Sequence, residues 1–230
     1  MVISSPVLLK NCLYSHCIPF CIYRFNRDYS TTNRFNTKES EPLSEFDTWF
    51  VGFCDAESSF SINPVLGSEN TIKKITFMFS IELHKDDLHV LEYIQNNLGI
   101  GRIRDDKDKC IFSVTNAEGI HRLISIFDGY NLNSTKYLDY LNFKKAFLLY
   151  QTRDKELLSS NIDKAKTLTS QILELKNSMN TKRTNIILPS DHKIVITKGW
   201  LLGYIEGDGS FFLSRTDIEP TFSISASAEQ

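Results

Sequence analysis

Between Ser44 and Glu57 the apolar residues recur with the period of a helix. Phe46, Trp49, Phe50, Phe53 and Cys54 stand at i, i+3, i+4, i+7 and i+8, which draws one apolar stripe. Ser44 suits the N-cap position, with Asp47 three residues on as in a capping box. The period then changes to two. In Ser59-Phe60-Ser61-Ile62-Asn63, and again from Ile75 to Ile81, apolar and polar residues alternate, as in strands with one buried and one open face. A helix is expected from Asp86 to Leu98, with Leu88, Leu91, Ile94 and Leu98 facing inward and Gly99 ending it. Gly101 to Thr115 reads as a hairpin around Asp105-Asp106-Lys107-Asp108, with Ile103, Cys110, Phe112 and Val114 inward. A short helix follows with Ile120, Leu123, Ile124 and Phe127, then another from Lys136 to Tyr150. This order predicts an α+β protein, one antiparallel four-stranded sheet with helices on its apolar face. Residues 151–180 read as one amphipathic helix with Ile162, Leu168, Ile172 and Leu175 on one side. A polar connection with Lys182, Arg183 and Pro189 comes next.

The first helix signature is written twice. Trp49-Phe50-Val51-Gly52-Phe53-Cys54-Asp55-Ala56-Glu57 returns as Trp200-Leu201-Leu202-Gly203-Tyr204-Ile205-Glu206-Gly207-Asp208, at a constant offset of 151. Gly52 and Ala56, and then Gly203 and Gly207, place small residues four apart, where a second backbone can approach closely. The duplication predicts two helices related by a pseudo-twofold axis, with Glu57 and Asp208 meeting at one end. Two carboxylates so placed make a candidate metal site. Glu57 taken alone would read as a surface acid at a helix end.

Composition bounds these readings. The chain has 230 residues, 41% hydrophobic and 23% charged, enough for a sizeable core. A net charge of −2 is not that of a strongly basic nucleic-acid binder. The basic excess is local: residues 151–196 hold eight Lys/Arg against five Asp/Glu. It suits either a phosphate backbone or solvent. Five scattered cysteines fit reduced thiols in an intracellular setting. Cys12, His16, Cys17 and Cys21 lack the second ligand pair of a zinc finger. No apolar run is long enough to span a membrane. The basic, acid-poor segment before residue 39 fits a mitochondrial leader or a disordered tail. The open sheet face carries Ser59, Ser61, Asn63, Thr76, Met78, Ser80, Arg102, Arg104, Ser113 and Thr115. It reads either as an ordinary solvated face or as a surface for base edges and phosphates in a DNA major groove, which admits β-ribbons.

Both copies of the signature resemble the motif of the LAGLIDADG homing endonucleases and maturases. The segments Ile81–Asp87, Leu98–Gly101 and Asn131–Tyr137 are similar to those of fungal mitochondrial members. The resemblance covers residues 44–150 and 196–230 and implies an αββαββα repeat used twice. It divides the chain into an extension (1–43), a first repeat (44–150), a helical linker (151–195) and a partial second repeat (196–230). It further implies that Glu57 and Asp208 bind Mg2+ or Mn2+ at the scissile phosphates of double-stranded DNA, and that Lys136 is the basic residue that positions water. Lys136 reads equally as a surface lysine at a helix start. Asp55 and Glu206 are expected to cap or pack.

Two departures from the family pattern bear on function. Ser58 replaces a motif glycine that eases the helix-to-strand turn, and either strain at Ser58 or a shifted Glu57 carboxylate is expected. In the second copy, Thr221–Ser225 corresponds to Met78–Glu82, and counterparts of the later elements do not follow. The expectation is a pseudo-twofold monomer if the second repeat is complete, or a dimer if it is truncated. Three functions compete: a metal-dependent DNA endonuclease of intron homing, a maturase that binds intron RNA, and an inactive remnant.

Overall fold

The computed structural model describes residues 44–67, 69–213 and 219–224, which fall in one unit running from Glu41 to Gln230. The extension 1–43, with its leader-like segment and the Cys12, His16, Cys17 and Cys21 group, lies outside the described residues, as does Ser225. The first helix, α1 (Glu45–Glu57), starts where the sequence predicts: Ser44 Oγ accepts a hydrogen bond from the Asp47 N–H at 3.2 Å. Strands β1 (Ser58–Leu66) and β2 (Ile72–His84) run longer than their alternating cores. A 3-10 turn at Lys85–Asp87 then leads into α2 (Leu88–Leu98), so the α-helix begins two residues later than expected. Gly99 ends it with φ of 68°, a left-handed backbone that favours glycine. Strands β3 (Arg102–Asp105) and β4 (Lys109–Val114) form the predicted hairpin, and α3 (Ala117–Gly129) and α4 (Lys136–Gln151) follow. The four strands make one antiparallel sheet in the order β1-β2-β4-β3.

The pleat decides which residues are buried. Phe60, Ile62, Phe77, Phe79, Ile81, Cys110, Phe112 and Val114 all point to the helices and are buried. Phe60 sits at the centre, its ring 5.3–5.8 Å from those of Phe79, Phe127, Tyr140 and Phe143. Such tilted aromatic contacts add to the burial of a large apolar area.

The single helix predicted for 151–180 is two. They are α5 (Lys155–Ser160) and α6 (Ile162–Asn177). Asn161 interrupts them because its side chain caps the second, accepting from the Lys164 N–H at 3.0 Å. Ile162 is therefore a first-turn residue and stands exposed, whereas Ile172 is fully buried. The connection after α6 is held by a buried ion pair rather than left in solvent. Arg183 Nη1 meets Asp139 Oδ2 at 2.6 Å, and Asp139 Oδ1 accepts from the Asn180 N–H at 2.9 Å.

The chain then enters α7 (Lys198–Asp208), capped by Thr197, whose Oγ1 accepts from the Trp200 N–H at 3.0 Å. Strands β5 (Gly209–Leu213) and β6 (Pro220–Ile224) pair with Gly209 opposite Ile224 and Phe211 opposite Phe222. This repeats the register of Ser58 opposite Ile81 and Phe60 opposite Phe79. The expected correspondence of Thr221–Ile224 with the second strand of the first repeat is thus observed. Phe211 is 64% exposed, where Phe60 is 1%. Among the described residues no helix is long and apolar enough to cross a membrane.

Candidate active site

The site begins with the contact between α1 and α7. A methyl added at Gly52 would lie 1.9 Å from the Trp200 carbonyl oxygen, and one at Gly203 would lie 2.0 Å from that of Trp49. At the next turn, a methyl on Gly207 would meet Cβ of Ala56 at 2.3 Å and Cγ of Glu57 at 3.1 Å. Gly52, Ala56, Gly203 and Gly207 are therefore all at the contact, and it is reciprocal about the pseudo-twofold. Backbones this close leave no room for a side chain.

That contact brings the ends of the two helices together. Glu57 and Asp208 are both half-buried where their helices hand over to β1 and β5. Burial raises the Glu57 carboxyl above its ordinary value, the Asp208 charge raises it further, and Lys136 pulls it back. The two acids thus feel each other through a partly desolvated medium. Burial also raises the Tyr204 phenol, and the Asp208 charge one turn further along α7 raises it further.

Ser58 carries no strain. Its backbone is extended, with φ of −85° and ψ of 160°, and Gly209 has nearly the same conformation. Any residue adopts it, and the Ser58 Oγ donates to the Cys54 carbonyl at 2.7 Å. The expected strain is absent because the turn never enters the left-handed region.

Two further acids prove to be interface residues. Trp49 Nε1 donates to Glu206 Oε2 at 2.7 Å, and Trp200 Nε1 donates to Asp55 Oδ2 at 2.7 Å. Trp49 and Trp200 are motif mates, as are Asp55 and Glu206, so the two bonds cross the interface symmetrically. Sequence reasoning gave Asp55 and Glu206 only capping or packing roles. The signal was present in the repeat itself, which duplicates an indole donor and a carboxylate acceptor at one spacing.

Lys136 does not stand free at the start of α4. Its Nζ donates to the Cys54 and Ala56 carbonyls at 3.0 and 2.9 Å. Those groups belong to the last turn of α1, where the Cys54 carbonyl also accepts from the Ser58 N–H and Oγ. Burial lowers the ammonium's pKa, while the surrounding negative groups, Asp55, Glu57 and Asp208 among them, oppose the shift. The lysine is thereby set beside both motif acids.

The open sheet face lies on the side away from the helices. Ser59, Ser80, Ser113 and Arg102 form one row straight across all four strands. Ser61 pairs with Met78, and Asn63 with Thr76. Arg104 stands opposite Ile111, which pairs with Glu82. Ile111 and Glu82 belong to the same face and were omitted from the sequence reading, although strand alternation places them there. Glu82 forms an ion pair with Lys109. Thr115 is exposed but lies one residue beyond β4, off the ladder.

Among the described residues no group of three or more His, Cys, Asp or Glu forms. The protein's own donor set at the helix ends is two carboxylates. Hard oxygen ligands in that number fit Mg2+ or Mn2+, ions bound by few side chains that keep waters and take phosphate oxygens.

An αββαββα sheet-and-helix unit joined to a second motif helix through a glycine-lined contact defines the fold of the homing endonucleases. Residues 50–147 match the LAGLIDADG endonuclease family. A probable intron-encoded endonuclease, Cox1-I1b of Schizosaccharomyces pombe, is 30% identical over 192 residues, covering 82% of this chain and 47% of the relative. Probable intron-encoded endonuclease 3 of Neurospora crassa is 25% identical, covering 84% of this chain and 37% of its own length. The chain thus spans about half the length of such relatives or less. The crystal structure of the LAGLIDADG homing endonuclease I-GzeII with its DNA target superposes with a TM-score of 0.58 at 28% identity, covering 76% of this chain and 64% of that one. I-SmaMI bound to cleaved DNA gives a TM-score of 0.60 at 27% identity, covering 80% and 65%.

Proposed function

We propose that the chain is part of a site-specific, divalent-metal-dependent endonuclease that cuts double-stranded DNA in intron homing. The observation that carries this reading is the reciprocal packing of Gly52 on Trp200 and Gly203 on Trp49, which delivers Glu57 and Asp208 to one place. Residues 44–150 act as the first repeat, 151–195 as the connector and 196–230 as part of the second. The homology to mitochondrial intron-encoded proteins supports action in the mitochondrion.

Glu57 and Asp208 would hold Mg2+ or Mn2+ for the phosphate backbone. When bound, the ion supplies an activated water and stabilises the leaving oxygen. Lys136 offsets the paired carboxylate charges. Two of its three ammonium donors go to α1 carbonyls, and the third serves a water or phosphate oxygen at the acids. Ser59, Ser61, Asn63, Thr76, Met78, Ser80, Arg102, Arg104 and Ser113 read the duplex. Arginines that reach phosphates anchor the register, and short polar side chains meet base edges.

The test is cleavage of a plasmid carrying the intronless junction of the host gene, with and without Mg2+. Linear product that disappears in Glu57→Gln and Asp208→Asn establishes the endonuclease. Intact plasmid together with tight, specific binding of intron RNA would instead establish a maturase.

A further inference from the structure

We infer that Asp55 is a positioning residue that makes the seating of α7 and the placement of Lys136 a single event; its catalytic consequence rests on the endonuclease reading above. The Asp55 carboxylate is fully buried and accepts four hydrogen bonds. The Asn133 N–H donates at 2.7 Å, the Ser134 N–H at 3.1 Å and the Ser134 Oγ at 2.6 Å. The fourth comes from Trp200 Nε1 at 2.7 Å. Three donors thus belong to the turn that starts α4, and one to α7.

The connections continue to the lysine. Ser134 Oγ accepts from the Lys136 N–H at 3.2 Å, and the Lys136 Nζ reaches back to the carbonyls on either side of Asp55. On the far side, the Asn133 amide exchanges two bonds with Val195, each 3.0 Å long, two residues before the α7 cap. A buried carboxylate is stable only while its donors stay in place, because each one lost leaves charge unsatisfied in a medium of low polarity. Loosening α7 therefore weakens the grip of Asp55 on the turn, and Lys136 moves with the turn. Glu206, the motif mate of Asp55, shares the crossed indole bond but lies on the opposite helix from this lysine turn. The two Trp–acid pairs differ in that one limb, and the experiment uses the difference.

The first readout needs no cleavage. Native protein is labelled with an amine-reactive ester, and the rate at Lys136 is followed by mass spectrometry, with Lys144 (paired with Asp128) as internal reference. Asp55→Asn is expected to speed Lys136 labelling about tenfold, the scale of one lost hydrogen bond to a charged group, with Lys144 unchanged. Trp200→Phe, which removes only the indole donor, is expected to speed it as well, and Trp49→Phe, which leaves all four donors to Asp55 in place, is expected to speed it less. Equal behaviour of the two tryptophan variants, or no change in either, overturns the inference even if Asp55→Asn fails to fold. The second readout is kinetic. Asp55→Asn is expected to lower kcat about tenfold with KM nearly unchanged, and to cost little more in a Lys136→Met background. Additive losses overturn the inference. A wild-type protein that does not cleave overturns the endonuclease reading instead and leaves the labelling result to decide this one.

Discussion

Gly52 lies against the Trp200 carbonyl so closely that a methyl on its α-carbon would stand 1.9 Å from the oxygen. Neither backbone can retreat without separating Glu57 from Asp208, so a small-residue contact governs the geometry of the acids.

A larger residue at this contact is expected to part the helices. Gly203→Val should destabilise the protein by about 1–3 kcal/mol, the usual cost of overpacking a filled interior. The chain has only two tryptophans, and both lie in the interface, so their emission reports its opening. A thermal melt and an emission spectrum matching wild type would count against the described packing.

The acids themselves are tested by isosteric neutral variants. Glu57→Gln and Asp208→Asn should each slow cleavage by at least about 100-fold, or roughly 2.7 kcal/mol of barrier. Binding of the DNA target, followed by gel shift in calcium, should survive. Loss of binding in step with cleavage would assign these residues to the fold instead.

The sheet face predicts a salt signature. Arg102→Ala or Arg104→Ala should weaken DNA binding and lower the slope of log affinity against log salt by about one per phosphate contact removed. Unchanged affinity and slope in both variants would remove this face from the DNA interface.

Protonation gives a sign that can be checked without DNA. Glu57 holds its proton more tightly in the folded protein than its ordinary value of 4.5 implies, first because it is buried and then because Asp208 is near. Its contribution to stability is therefore fullest in acid and is lost as pH rises through the folded value. Metal-free Glu57→Gln should be more stable than wild type near pH 7, and the gap should close toward about pH 4. Urea unfolding across that range measures it, and a gap that widens in acid would contradict the environment described.

The linker makes a stability prediction of its own. Arg183 and Asp139 are both nearly buried, so Arg183→Met strands a carboxylate and should cost about 3–5 kcal/mol. Replacing both partners by apolar residues of similar volume should recover much of the loss. Urea denaturation of the single and double variants reads both effects.

Much of the repeat was legible in the chain because its signals are local. Period 3.6 in α1, period two in β1 and β2, the Ser44 cap and the Gly99 terminus each lie within a few neighbouring positions. Duplication of the motif at an offset of 151 extended that reach to one long-range fact, the pairing of α1 with α7. The sequence misjudged features whose partners stand far away. Arg183 read as a linker cation for solvent or a phosphate backbone, whereas it pairs with Asp139. Ser58 looked strained because the glycine of the motif implied a turn that the backbone does not make.

What the sequence determined by itself was the order of elements through the first repeat and the two acids brought together by repetition, since periodicity and caps act between near neighbours. What tertiary structure decided was the use of Asp55, Glu206 and Lys136. Asp55 draws its donors from 78, 79 and 145 residues away, and Trp49 finds Glu206 at a separation of 157. The repeat of Trp and acid at one spacing carries a trace of the two crossed indole bonds, but the Asn133 and Ser134 bonds to Asp55 leave no pattern along the chain. They exist only once the packed helices have excluded water, when a carboxylate must find its partners within the fold.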